Sequence, residues 1–168
     1  MGKRVPPNTI SADPGEHCGL VLWEERQIVR LGAFQISKRE GANAMADWIK
    51  EAILEHGVGH LVVEQQYPRP GRSFRSVFGL AAYRGAVEHE CRKLGIVPTR
   101  IKRIQPQEWK GPAIRLCGAK WSAKDRVIQD YARALLSQYG VGFPVPWSRD
   151  VADAVVMGHW HLHRGLYA

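Results

Sequence analysis

The chain has 168 residues, with 24 Lys and Arg against 16 Asp and Glu and a formal net charge of +8. That length fits one ordinary domain burying roughly 70% of its unfolded surface, so neither disulfides nor a structural metal are needed as staples. No apolar run approaches the ~20 residues of a membrane helix, the three cysteines are far apart with no Cys-x-x-Cys, and the positive excess favours a polyanionic partner over thiolate chemistry.

Residues 1–8 are polar and Pro-broken, lack the apolar core of a signal peptide, and are expected to form a flexible tail on a cytoplasmic protein. Residues 9–12, 18–23 and 28–36 read as three successive strands, separated by Pro14-Gly15 and by the polar break at 24–27. Met45, Trp48, Ile49, Ala52 and Ile53 recur at helical spacing, which predicts an amphipathic helix over 42–56, ended by Gly57 and Gly59. Residues 60–63 are too short and too uniformly apolar for a half-exposed strand and read as a central one.

A Pro/Gly/Arg-rich loop over 67–73 opens a helix placed at 74–94 on Val77, Leu80, Ala81, Val87 and Cys91. Residues 96–104 read as a strand whose tail, with Arg100, Lys102 and Arg103, has one exposed face. Residues 105–120 contain Pro106, Gly111, Pro112 and Gly118 and predict a surface loop with at most a short helix. Ser122 is the expected N-cap of a helix over 122–139, and Ser148 that of a last helix ending near His163. Three strands, helix, strand, helix, strand and two helices call for a single-domain α/β sandwich: a mixed sheet with helices on its faces.

Four acids stand out against this layout. Asp13 and Glu64 end strands that a helical crossover can set side by side and parallel, at the edge where α/β sites form. Asp150 and Asp153 lie three apart on the last helix and can share a face. Each has a plain alternative. Asp13-Pro14-Gly15 is a common turn signature, Glu64 can simply end a strand, and Asp150 suits a helix N-terminus. Asp153 is harder to dismiss, because Val151, Ala152, Ala154, Val155 and Val156 predict burial, and a buried unpaired carboxylate is costly. A shared Mg²⁺ or Mn²⁺ relieves it, and one or two such ions could serve phosphodiester cleavage. His159, His161 and His163 are a competing softer-metal idea, but no third ligand accompanies the two that share a face, so a surface role at the helix end is preferred. Between Gln65 and Arg126 there are 14 Lys and Arg against four acids, which concentrates the basic charge beside the acid motifs.

With these residues, the chain resembles the RuvC family of Holliday junction resolvases, which have a ribonuclease H-like fold. Ser11-Ala12-Asp13-Pro14-Gly15 looks like the first strand motif, Val63-Glu64-Gln65 like the second, and Asp150-Val151-Ala152-Asp153-Ala154 like the carboxyl-terminal Asp-x-x-Asp-Ala. The segment from Gly79 to Ala86 is similar to the helix after the second acid, and the likeness runs from about Thr9 to His161. It implies a mixed five-stranded sheet flanked by helices on both faces. It further implies a homodimer that nicks opposed strands of a four-way junction, with Asp13, Glu64, Asp150 and Asp153 as metal ligands and Lys110 and Lys124 near the scissile phosphate. Tyr67 looks like an aromatic that stacks on bases at the crossover. Arg69, Arg72, Arg75, Lys102 and Arg103 are candidate phosphate contacts, and Lys120 is an unassigned candidate beside Lys124. The loop 69–75 is more Arg-rich than the family pattern, and 116–120 matches no part of it. A ribonuclease H-type or flap nuclease using the same acids, and a non-catalytic junction-binding relative, are the alternative readings.

Overall fold

The structure, a computed structural model, describes residues 7–65, 71, 73–143 and 147–167, excepting the side chains of 74–77. In chain order the elements are β1 (Thr9–Asp13), β2 (His17–Glu24), β3 (Gln27–Gln35), α1 (Arg39–His56), β4 (His60–Glu64), α2 (Phe74–Lys93), β5 (Ile101–Ile104), α3 (Pro106–Leu116), α4 (Lys124–Gln138) and α5 (Arg149–Leu162). The strands form one sheet in the order β3-β2-β1-β4-β5. β1, β2 and β3 pair antiparallel, and β4 lies parallel to both β1 and β5.

Side-chain alternation divides the core in two. On one face Ile10, Ala12, Leu20, Leu22, Leu61 and Val63 meet Met45, Trp48, Ile49 and Ala52 of α1 and Val87 and Cys91 of α2. On the other, Val21, Trp23, Val62 and Ile104 meet Trp109, Ile114, Ile128, Leu135, Val151 and Val155 of α3, α4 and α5. The five-stranded sheet flanked by helices on both faces is the expected architecture. Cys18 and Cys91 are packed into the first of these cores, and burial pushes both thiols up.

Some local expectations fail for identifiable reasons. β5 spans four residues rather than nine, because Pro98 opens a 3-10 turn, Pro98–Arg100, immediately before it. The expected loop at 105–120 holds an eleven-residue helix, α3. Pro106 occupies its first turn, where a missing N–H is harmless, and Gln105 and Glu108 close a reciprocal cap, with the Gln105 backbone N–H donating to Glu108 Oε1 at 2.9 Å. Pro112 leaves only the carbonyl of exposed Glu108 without a helical donor. Ser122 is no N-cap: it lies in a 3-10 turn, Trp121–Ala123, and α4 starts at Lys124. Ser148 caps α5 as expected, accepting from the Val151 N–H at 3.2 Å. Residues 1–6 of the expected tail lie outside the described residues, whereas Asn8 donates from Nδ2 to the His56 carbonyl at 2.6 Å.

Helix α5 lies unusually close to the sheet. A Cβ on Gly19 would stand 2.3 Å from the Asp150 carbonyl oxygen, and one on Gly158 2.4 Å from Ser11 Oγ. Ser11 uses that proximity, donating to the Ala154 carbonyl at 2.8 Å while accepting from Trp23 Nε1 at 2.8 Å. This buried clamp fixes Asp153, next to Ala154, over the end of β1. Gly19→Ala should therefore push the first turn of α5 off β2 and lower stability by about 1–3 kcal/mol, read as a lower urea midpoint at unchanged slope.

Candidate active site

The parallel pairing of β1 with β4 sets Ala12 opposite Val63, so Asp13 and Glu64 leave the carboxyl edge of the sheet in step. Both fall on the face shared by Val62, the one that α3 and α5 cover. α5 delivers Asp153 from above, and α3 delivers Trp109 and Lys110. One oxygen from each of Asp13, Glu64 and Asp153 lies within 4.8 Å of the others. All three residues are almost fully buried, at 4%, 2% and 4% exposure. Lys110 Nζ donates to Asp153 Oδ2 at 2.6 Å and stands 4.0 Å from Glu64 Oε2. Trp109 Nε1 donates to that same Glu64 oxygen at 3.1 Å.

The electrostatics follow from three carboxylates sharing one ammonium. Burial, then the charges of Glu64, Asp153 and Asp150, hold the Asp13 carboxyl well above the usual range. Burial also raises Asp153 and outweighs the attraction of Lys110. Lys110 itself is pulled down by burial, but Asp153 and Glu64 more than compensate, so it stays protonated. Asp150, half-buried at the rim, is pushed up to about 6 by burial and by Asp153. Every one of these shifts has the sign of a pocket with too little positive charge. The donors are all hard carboxylate oxygens on three rigid elements, a set that suits a divalent cation such as Mg²⁺ or Mn²⁺.

The expected site residues divide into several groups. Asp13, Glu64 and Asp153 converge. Asp150 stays outside the tight trio, beside Gly15, where a Cβ would meet its Oδ1 at 3.7 Å. Lys110 reaches farther in than expected, as the counter-ion of the acids. Lys124 begins α4, partly exposed, with Nζ 5.7 Å from the centre of the Trp121 ring, and Lys120 is exposed nearby. Strand alternation sends Lys102 and Arg103, both exposed, to opposite faces of β5. Arg103 forks onto Glu88 of α2 with two 2.7 Å bonds. Tyr67, Arg69 and Arg72 lie outside the described residues, and of Arg75 only the helical backbone is described.

Of the three histidines, His159 departs from a surface role at the helix end, whereas His161 and His163 are partly exposed. His159 is buried, hydrogen-bonded through Nδ1 to the Tyr167 hydroxyl and stacked on His163 at 4.4 Å between ring centres. Burial and the neighbouring His163 bring it down to about 4. Among the described residues, the acid trio is the one group of three or more potential ligands close enough to share an ion. Two contributors went unread in the sequence. Trp109 fixes Glu64, and its signal was the cap around Gln105 and Glu108, which starts a helix and buries the tryptophan four residues on. Arg84 lines a small cleft with Pro14, Glu64 and Leu80; its position on α2 becomes meaningful only once α2 is docked on the sheet.

Solved structures with similar folds include Thermus thermophilus RuvC in complex with a Holliday junction substrate. It is 14% identical, with 94% of this chain and 93% of that one aligned at a TM-score of 0.65. The chain has the RuvC fold. A second Thermus thermophilus RuvC structure is 17% identical over 92% of this chain and 93% of its own, with a TM-score of 0.59. The yeast mitochondrial Holliday junction resolvase Ydc2 is 13% identical over 96% of this chain and 80% of its own, with a TM-score of 0.55. No protein-family model and no curated protein sequence matches the chain. Among the described residues, no helix is long and apolar enough to cross a membrane.

A pH prediction follows from the raised acids. A carboxyl whose folded pKa lies above its unfolded value contributes stability below the unfolded value, near 4, and loses it as pH rises through the folded one. In EDTA, the protein should therefore lose stability between about pH 4 and pH 6 relative to Asp150→Asn. Thermal melts across that range check it, and parallel curves for the two proteins would contradict the assignment.

Proposed function

We propose that the protein is a Mg²⁺-dependent endonuclease that resolves four-way DNA junctions by paired, symmetric nicking. The observation that carries this reading is the convergence of Asp13, Glu64 and Asp153, buried around one lysine, at the carboxyl edge of the sheet in a RuvC fold. Those three carboxylates would hold the cation, with Asp150 at the rim, and Mn²⁺ should substitute for Mg²⁺. The ion, when bound, supplies Lewis acidity for activating water and stabilising the leaving oxygen.

The chain's own residues do the remainder. Trp109 holds the Glu64 carboxylate in one orientation, and Lys110 does the same for Asp153 while placing positive charge where a phosphoryl group would gain negative charge. Lys124 is a second such cation, approaching from α4. Lys102, Lys120, Arg69, Arg72 and Arg75 would bind backbone phosphates without reading sequence, and Tyr67 would stack on a base at the branch. Keeping three like charges buried together is costly unless the site takes up a cation, which favours catalysis over a binding-only role.

Two cuts related by a two-fold axis call for a homodimer. The surface that suits it is α2, which leaves Phe78 60% exposed alongside exposed Ala81, Ala82, Gly85 and Ala86, so a second copy could approach closely.

One substrate panel tests the proposal. A synthetic mobile junction, a flap and an RNA:DNA hybrid are offered to the protein with Mg²⁺, and paired symmetric nicks are expected on the junction alone. Preferred cutting of the hybrid would replace this reading with a ribonuclease H-type one. Asp13→Asn should abolish nicking while junction binding survives, measured by gel shift in parallel with the cleavage assay. Nicking near the wild-type rate would remove Asp13 from the site.

A further inference from the structure

We infer that Trp121 is a stacking platform for an unpaired base of the substrate strand, on the turn that leads into α4, with Lys120 and Lys124 as flanking phosphate contacts. The inference deepens the nuclease reading and rests on it.

Six tryptophans occur in the chain. Trp23, Trp48 and Trp109 are buried, and Trp147 and Trp160 pack in part against the core of α3, α4 and α5. Trp121 is 50% exposed and belongs to neither hydrophobic core. An indole half exposed to water keeps a large, rigid apolar face available for contact. Lys124 Nζ lies over the ring at 5.7 Å, and Lys120 is exposed one residue before it. An aromatic face with one ammonium group over it and a second, exposed lysine one residue before it suits the alternating bases and phosphates of a single DNA strand.

Position ties this pair to the reacting end of the molecule. The 3-10 turn holding Trp121 runs directly into α4. At the start of α4, Asp125 is bonded at 2.7 Å to Arg149, which precedes Asp150 in the first turn of α5. The charge of Asp125 is felt at Asp153 as well. A strand whose phosphate sits at the carboxylates would then run on along the start of α4 toward Trp121. Near a junction the bases there are unstacked and free to take up an aromatic face.

The test uses full-length protein in EDTA, so that binding is read without cleavage, with a fluorescent oligothymidine of twelve nucleotides as probe. Trp121→Ala should weaken anisotropy-measured binding about 5- to 150-fold, the range of one base–aromatic stack, and Trp121→Phe should restore most of it. Because stacking releases no counterions, the slope of log affinity against log salt should be the same for Trp121→Ala as for wild type. Lys120→Ala should reduce that slope by about 0.7. Wild-type affinity in a folded Trp121→Ala protein, or a changed salt slope for it, overturns the assignment. The junction assay reads the nuclease separately: if the wild type cuts no junction yet Trp121→Ala loses the oligothymidine, the nuclease reading falls and the stacking site stands. If the wild type cuts junctions and Trp121→Ala binds and cuts as well as it does, only the stacking site falls.

Discussion

Three carboxylates held together out of water govern this molecule. At a spacing of 4.8 Å or less, two ionised carboxylates repel by about 3 kcal/mol or more at an effective dielectric near 20. Lys110 offsets part of this through its 2.6 Å contact with Asp153, but one ammonium cannot neutralise three acids. The remaining imbalance appears as carboxyls of Asp13 and Asp150 pushed up from the usual range by burial and by their neighbours' charge, and as a Lys110 ammonium held up by the acids despite its burial. Positive charge from outside would relieve that tension, and a doubly charged ion would supply it in the smallest volume.

The fold exists around that pocket in a literal sense. Parallel pairing of β1 with β4 brings Asp13 and Glu64 out at one edge, which the antiparallel meander of β1, β2 and β3 could not do by itself. Asp153 needs a helix pressed hard against the sheet, and the two glycines, one on β2 and one on α5, together with the Ser11 clamp, provide the close approach. α3 then closes the site from the side with Trp109 and Lys110, each gripping a different acid. Packing and electrostatics are thus answered by the same few residues.

Much of this was legible in the chain. The short apolar runs of the first strands with their polar breaks, the apolar brevity of residues 60–63, the helical spacing in α1 and the Ser148 cap of α5 gave the sheet-and-helix order, and the acids at the strand ends pointed to their meeting place. The apolar neighbours of Asp153 already marked it as the more buried of the two acids on α5, but that Asp150 stays outside the tight trio was not legible, because both lie in one helical turn and the docking angle of α5 decides how far each reaches inward. α3 was hidden by prolines that weigh against helix on propensity, although one of them fills the first turn and the other leaves only an exposed carbonyl behind. Lys110 could be read as a site residue but not as a buried one, since lysine at a helix position defaults to water until a cluster of acids claims it. His159 shows the reverse case: a polar residue near a helix end that tertiary contacts with Tyr167 and His163 draw into the core.

The far edge of the sheet carries a separate consequence. β5 is an outer strand of only four residues, fenced by Pro98 before it and Pro106 after it, with Lys102 and Arg103 displayed along it. Another chain seeking to extend the sheet there would find a short template, crowded by cations and cut off by residues that break the ladder at either end. Such an edge discourages aggregation through strand addition at β5, so that any pairing of two sheets through backbone hydrogen bonds would have to use the opposite outer strand, the nine-residue β3.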